Sequence, residues 1–508
     1  MHTIVVLVLA AAVLHVLLST LVSIIRSHSR SKLSSDRGCK PGRSDQSWDL
    51  IGLGKIFGVL KAILSGRSIE YLETTWEEYG DTYTSSMLGQ HVVFTRDAAN
   101  IRQLLVTRWA DYDAAKNLRT RIFRDLAPRA IFALDGHPWK EARNMWRALV
   151  SAKNNLFDID AQEIHFQRLS CRILAEEIVD IQSLAMKFMN DVMTEVNFGK
   201  TIGCLDPDQS PENGKLGEHM TLVNGQLGRD GFLGPAAVFF SKKKQMEAVA
   251  HIHRFVNQMA ALKLQEISEG VPAPGKPCVL DHVVDHTTDS LELRDALMTL
   301  VLGANESTGS LIATVVWVIS RDYQLMSKLR QEILNTIGYN PPTMQELKGF
   351  ATVNQVILEV LRMYPPVPFN ARLANKDTWL PSGGGPDGTD PLLVKKGHCV
   401  VFSVFGSHRN PQNFGDDATT FRPERWDSLK VDTPGYLPFL MGPRTCLGQQ
   451  FAMSVTTYFT VRLLQSFERI ESQGAADFKG SVGVSMTHRD GIKVAFTPDP
   501  QNLQRRQL

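Results

Sequence analysis

The chain has 508 residues, of which 43% are hydrophobic and 21% charged, with a formal net charge of +2. That length supports a large core, and so small a net charge argues against nucleic acid or another polyanion as partner. Its cysteines (Cys39, Cys171, Cys204, Cys278, Cys399 and Cys446) form no CxxC pair, which excludes a disulfide-stapled secreted scaffold and indicates a reducing compartment.

From Ile4 to Ile25 only His15, Ser19, Thr20 and Ser23 interrupt an apolar run, and ~20 such residues span a bilayer as a helix. Arg26, Arg30, Lys32, Arg37, Lys40 and Arg43 follow. Basic flanks stay cytoplasmic, which predicts a single-pass anchor over residues 1–25 with the body facing the cytoplasm. A cleaved signal peptide fits less well, because the run is long for an h-region and no charged segment precedes it. Residues 26–50, basic and punctuated by Gly38, Pro41 and Gly42, read as a linker, and 51–508 as one domain. Thr82–Met87 and His91–Thr95 flank Leu-Gly-Gln and predict a strand, a turn and a second strand. Amphipathic periodicity predicts helices over 137–152, 160–197, 243–268, 290–338 and 345–363, with short strands around 392–404 and 491–497. The fold class is therefore mainly α with a small β region. Between them, Gly231–Phe240 followed by Lys242, Lys243 and Lys244 has two readings: a second membrane contact, or a buried loop leading into a helix.

The chemistry-bearing motifs run from residue 139 to residue 448. Trp139 and Arg143 are four apart, so they share a helix face. Arg294 to Ser320 reads as a long apolar helix carrying Leu302-Gly303-Ala304-Asn305-Glu306-Ser307-Thr308-Gly309, where an acid and a hydroxyl suit proton relay. Asn305-Glu306-Ser307 is also a formal glycosylation sequon, an accident in an apolar helix. Glu359 and Arg362, at i and i+3 among Val356, Ile357, Leu361 and Met363, predict a buried pair. Arg372 follows the Pro365-Pro366 break, His408-Arg409 has no evident chemistry, and Phe421-Arg-Pro423-Glu424-Arg425-Trp426 supplies a further arginine. Last comes Phe439-Leu-Met-Gly442-Pro-Arg444-Thr-Cys446-Leu-Gly448. Gly442 permits a tight turn that aims backbone N–H groups at the sulfur, and a helix starting near Leu447 stabilises a thiolate at its N-terminus. A thiolate ligand pushes electron density onto an iron and favours O–O cleavage. The rival reading of this loop is a buried structural cysteine in a glycine-bearing turn.

Phe439, Gly442, Arg444, Cys446 and Gly448 occupy all the defining positions of FxxGxRxCxG, and in this the sequence resembles the cytochrome P-450 family. WxxxR, the central helix, ExxR, the PERF-like run and the cysteine loop occur in family order. The resemblance implies that Cys446 is the axial ligand of a haem b iron. It implies that Trp139, Arg143, Arg372 and Arg444 hold the propionates, and that Glu359, Arg362 and Arg425 brace the ligand loop. Glu306 and Ser307 then form the proton relay. Two departures stand out: Ala304 replaces a glycine, and Ser307 replaces a threonine, losing the methyl group that stiffens χ1. The resemblance further implies NADPH-derived electrons from a separate flavoprotein reductase and a small lipophilic substrate. It also implies an endoplasmic-reticulum membrane location with the catalytic domain cytoplasmic. Gly38-Cys-Lys-Pro41, Pro366–Arg372, Pro381–Pro386 and Cys446–Phe451 resemble the microsomal fungal alkane and fatty-acid hydroxylase group. A specialised metabolite is as well suited as a fatty-acyl or alkane-like substrate, and the regions near 112–128, 221–240, 366–370 and 481–485 are expected to shape the pocket. Two alternatives stay open: a haem-thiolate isomerase or dehydratase that needs no reductase, and a non-catalytic membrane haem or sterol carrier.

Overall fold

The computed structural model describes residues 30–45, 53–65, 67–87, 90–114, 116, 119–150, 158–270, 277–475 and 477–506. Its organising element is the helix Ser290–Ile319, buried almost continuously from Leu293 to Ile319. A helix apolar on all sides is stable only when surrounded, and this one packs against Ile181–Phe198, Gln449–Ser466 and Ala351–Met363. Together they form the main core, with Phe188, Leu311, Val315, Val356, Val360, Tyr458 and Phe459 nearly inaccessible.

Three predicted helices are each two. The 160–197 stretch divides into Ile159–Leu174 and Ile181–Phe198. Asp180 caps the second by accepting Gln182 N–H at 3.2 Å, and Val179–Asp180 pairs with Lys493–Pro498. The 290–338 stretch breaks after Ile319, where Asp322 caps Tyr323–Ile337 by accepting Leu325 N–H at 2.9 Å. The 345–363 stretch divides at Phe350, with a Thr343–Glu346 capping box opening the first part, Met344–Gly349. Hydrophobic periodicity runs across all three breaks because both halves bury against one core; at the first two, the cap residues Asp180 and Asp322 decide where the next helix starts. Lys243–Ser268 matches its predicted span, and Gly136–Leu149 covers most of 137–152.

The β region holds a five-stranded sheet in the order Thr82–Met87, Gln90–Thr95, Cys399–Ser403, Phe369–Ala374, Tyr112–Asp113. Gln90–Thr95 and Cys399–Ser403 run parallel; the other neighbours are antiparallel. The strand expected over 392–404 is two, Asp390–Val394 and Cys399–Ser403, in different sheets. A short hairpin, Gly480–Val482 with Met486–His488, reaches back to the central helix. The predicted anchor, residues 1–25, lies outside the described residues, and no described helix is long and apolar enough to cross a membrane. Of the basic segment 26–50, residues 30–37 are helical. Arg30 bridges Asp377 at 2.9 Å, and Lys40, Gly42 and Ser44 pair with Leu392, Gly384 and Thr84. This segment is therefore laid along the β-rich side of the body.

Candidate active site

Local backbone chemistry builds the cysteine loop. Leu440 and Gly442 both take positive φ, 59° and 72°, a conformation costly for leucine. At Gly442 a Cβ would lie 2.0 Å from the Leu105 carbonyl oxygen, so only glycine fits. The turn returns Cys446 N–H to the Phe439 carbonyl at 2.8 Å. The following helix begins at Gln449, two residues later than expected. Cys446 is accessible, yet burial raises its thiol pKa, while the Gly448 N–H and the Arg143 charge favour the thiolate. A side chain both deep and accessible belongs to the floor of an internal cleft. Gly303 has the same character: it is exposed in the middle of a buried helix, and a Cβ there would meet nothing within 4 Å.

Arginines crowd the rim of that cleft. Arg444 stacks 4.3 Å over the Trp139 ring and bridges Asp135 at 2.6 Å. Arg372, 3% exposed, donates to the Asn370 Oδ1 and the Ala371 carbonyl at 3.1 and 2.8 Å. Arg119 donates to the same Asn370 Oδ1 at 2.6 Å. Burial and the neighbouring cations Arg119 and Arg444 push the Arg372 pKa well down; burial and Arg444 push Arg119 down to about 10. The one acid that acts on both is Asp135, which Arg444 already engages. Arg143 adds a fourth guanidinium whose buried Nε has no partner among the described residues. A surplus of buried cations with an orphaned donor demands anions, and a haem with its two propionates over a cysteine sulfur meets that demand. Trp139, Arg143, Arg372 and Arg444 were legible from motifs. Arg119 was not, because it belongs to no motif; only its approach to Asn370 and Arg372 reveals it.

Behind the loop, the buried Glu359 and Arg362 pair twice, at 2.8 and 3.0 Å. Glu359 also accepts from Arg425 Nε at 2.9 Å, Arg422 N–H at 2.8 Å and Trp426 Nε1 at 3.1 Å. Arg362 spends its remaining N–H groups on the carbonyls of His408, Ala418 and Thr420. His408, fully buried, extends this network to the cysteine loop. Its Nε2 accepts Leu437 N–H at 2.8 Å, so its Nδ1 carries the proton donated to the Arg362 carbonyl at 3.1 Å. Burial pushes its pKa down to about 3, which keeps the ring neutral in that tautomer. His408 stood out in the sequence only as part of His408-Arg409, and no spacing there signalled this bridge.

On the other side of the cleft, the central helix is continuous through Gly303–Gly309. Ser307 Oγ donates to the Gly303 carbonyl one turn back at 2.8 Å, which anchors the hydroxyl despite the missing methyl. Thr308 is 2% exposed and points elsewhere. Burial pushes the Glu306 pKa up to about 7, against hydrogen bonds from the Ser485 N–H and hydroxyl. Its Oε2 has no partner among the described residues. Asn305 is buried and donates to Asn190 Oδ1, which removes it as a glycosylation site. Gly303 and Ser307 open onto a largely apolar cavity of about 440 Å³. All four regions expected to shape the pocket contribute, among them Phe123, Leu227, Val367 and Val484. The helices Leu53–Leu64 and Ser68–Tyr79 and the first two strands also line it, a contribution carried by no motif.

The model of the family described as Cytochrome P450 matches residues 53–494. Cytochrome P450 52A7 of Candida tropicalis is 34% identical over 468 residues, covering 89% of this chain and 91% of that protein. Cytochrome P450 52A13 of Debaryomyces hansenii is 29% identical, with 95% and 97% covered. Cytochrome P450 monooxygenase fsdH of Fusarium heterosporum is 31% identical, with 93% and 86% covered.

Proposed function

The chain belongs to the cytochrome P450 family as a monooxygenase, and from that premise we propose that it hydroxylates or otherwise oxidises a lipophilic substrate at a cytoplasmic membrane face. The observation that carries this reading is the deep, accessible Cys446 at the floor of a cleft rimmed by uncompensated arginines. Bound through Cys446, a haem b supplies the activation of dioxygen.

In this reading Arg119, Arg143, Arg372 and Arg444 hold the propionates, and Trp139 keeps the Arg444 guanidinium flat against its ring. The Gly448 N–H and Arg143 stabilise the thiolate. Glu306 and Ser307 pass protons toward the cleft: a carboxyl with a pKa of about 7 gives and regains a proton at neutral pH. The Ser307 hydroxyl, held by the Gly303 carbonyl, keeps its lone pairs free to accept one. The apolar cavity excludes water and selects a lipophilic substrate, either fatty-acyl or alkane-like or a specialised metabolite. Electrons come from NADPH through a separate flavoprotein reductase that docks on a basic face opposite the pocket.

Membrane attachment has two supports, the apolar segment Ile4–Ile25 and an exposed apolar pair on two elements that contribute to the cavity wall. Phe57 and Val238 are 68% and 76% exposed on these adjoining elements, joined through Leu60, Leu233 and Ala237. An apolar pair beside Lys242, Lys243 and Lys244 suits an interface, and an endoplasmic-reticulum membrane is the location proposed.

The deciding measurement is the absorbance of the reduced, carbon-monoxide-bound protein. A strongly red-shifted Soret band is expected from wild type and its loss from Cys446→Ala; a variant that kept the band would sink the reading. Product formed in step with NADPH and oxygen, only when reductase is present, separates a monooxygenase from an isomerase or dehydratase.

A further inference from the structure

Helix Pro211–Leu233 faces the cavity with Asn224, Leu227, Gly228 and Gly231, spaced as a single helix face. The leucine and the glycines present only apolar surface. Asn224 is 3% exposed, and its Oδ1 has no hydrogen-bond partner among the described residues. Three other polar side chains of the cavity lining, Ser307, Asn370 and Ser485, are committed. Ser307 donates to Gly303, Asn370 accepts from Arg119 and Arg372, and Ser485 bonds Glu306. The Asn224 backbone is also fixed. A Cβ on Gly228, one turn along, would lie 2.0 Å from the Gly483 carbonyl carbon, and one on Gly483 would lie 3.5 Å from Gly225 Cα. Helix and hairpin turn thus meet backbone to backbone, and Asn224 has no freedom to leave the wall.

A buried amide oxygen without a partner is a net cost to the fold, and nothing in the proton relay or the propionate cluster makes use of this one. We propose that Asn224 is a specificity-determining residue that receives a hydrogen-bond donor, a hydroxyl or N–H group, carried by an otherwise apolar substrate. The inference rests on the reading of this cavity as the substrate site of the monooxygenase. Rotation about the soft torsion of an amide turns the oxygen toward an incoming donor. A cavity of about 440 Å³ accepts a compact lipophile, and a single polar anchor on one wall decides which of its carbons reaches the Gly303–Ser307 groove on another. A plain alkane leaves the anchor unused, whereas an alcohol or amide satisfies it.

The test titrates the purified holoenzyme with 1-dodecanol and its methyl ether, and with a fused-ring alcohol and its methyl ether, reading the Soret shift. Wild type is expected to bind at least one alcohol about tenfold or more tighter than its ether. Asn224→Leu should erase that preference while keeping the ether affinity. The same variant, rid of an orphaned amide, should unfold at a higher temperature than wild type without ligand. An equal response of wild type to alcohol and ether in both pairs, including no response, overturns the proposal. So does an unfolding temperature of Asn224→Leu equal to or below wild type, which would make Asn224 structural. The carbon-monoxide spectrum separates the two claims: a normal band without the preference removes the Asn224 subsite alone, and a missing band removes the monooxygenase reading itself.

Discussion

The two walls of the cofactor cleft treat polar groups in opposite ways. On the cysteine side, Glu359 accepts five hydrogen bonds, from Arg362 twice and from Arg422, Arg425 and Trp426, and both ring nitrogens of His408 are engaged. On the central-helix side, Glu306 Oε2, Asn305 Oδ1 and Asn224 Oδ1 have no partners among the described residues. A fully satisfied buried network rigidifies its surroundings; orphaned groups are kept where something must still bind or move. The cysteine wall is built to hold one geometry, and the opposite wall to meet ligands and protons.

Breaking the cysteine wall should therefore have the largest effect. Glu359→Ala leaves Arg362 buried without a carboxylate and Arg425 with Asp417 alone, and losing one member of a buried pair costs roughly 3–5 kcal/mol. Little folded, haem-loaded protein is expected, measured as the yield of the red-shifted carbon-monoxide band per milligram of purified protein. Normal loading would mean that the network is not what holds the loop. His408→Leu comes next. It strands Leu437 N–H and the Arg362 carbonyl, at a cost of roughly 2–4 kcal/mol. The distinctive readout is spectroscopic: part of the population should lose the thiolate band, because Leu437 leads directly into the loop that ends at Cys446. A uniform fall in stability with an unaltered band would reduce His408 to ordinary packing.

Glu306→Gln probes the opposite wall, and its signature is a pH dependence. The folded-state pKa of about 7 lies above the ordinary 4.5, so the contribution is fully present below pH 4.5 and lost as pH rises through 7. Wild type should lose roughly 3 kcal/mol of stability relative to Glu306→Gln across that window, read as the difference in unfolding midpoints at pH 4 and pH 8. Activity should move in the same sense. Product formed per NADPH falls in wild type above pH 7 as the carboxyl ionises, and stays low and flat in the variant. Matching pH profiles would remove Glu306 from the relay.

This contrast also decides what the sequence could reveal. Cys446, Arg444, Glu359, Arg362 and Arg425 were legible because a satisfied network needs particular residue types at fixed spacings, within one helix turn or one loop. The central helix was legible as a continuous apolar stretch. Arg119, Asn224 and the bridging action of His408 were hidden, since each depends on a neighbour more than 25 positions away: Asn370, Gly483 and Leu437 respectively. Helix ends were blurred for a different reason. Ile159–Leu174 and Ile181–Phe198, like the pairs around Asp322 and Phe350, share one core, so hydrophobic periodicity continues where the backbone does not. Asp180 and Asp322 carried the missing information as cap residues, whereas Phe350 caps with no side-chain hydrogen bond and left its break unmarked.

Ser307→Thr offers the finest resolution between the walls. If the central helix leaves its groups poised rather than fixed, adding the γ-methyl should tighten a hydroxyl already tied to the Gly303 carbonyl at 2.8 Å. Ser307 lines the cavity, so the methyl group enters open space rather than packed core. What it changes is rotamer freedom, worth roughly 0.5–1.5 kcal/mol and hence at most about tenfold in the ratio of product to uncoupled peroxide. The expected result is a modest gain in coupling with unchanged stability and an unchanged carbon-monoxide band. Ser307→Ala should lower coupling by more than Ser307→Thr raises it, since it removes the hydroxyl altogether. If alanine and threonine at this position couple equally well, the hydroxyl takes no part in proton delivery, and Glu306 serves the cleft without it.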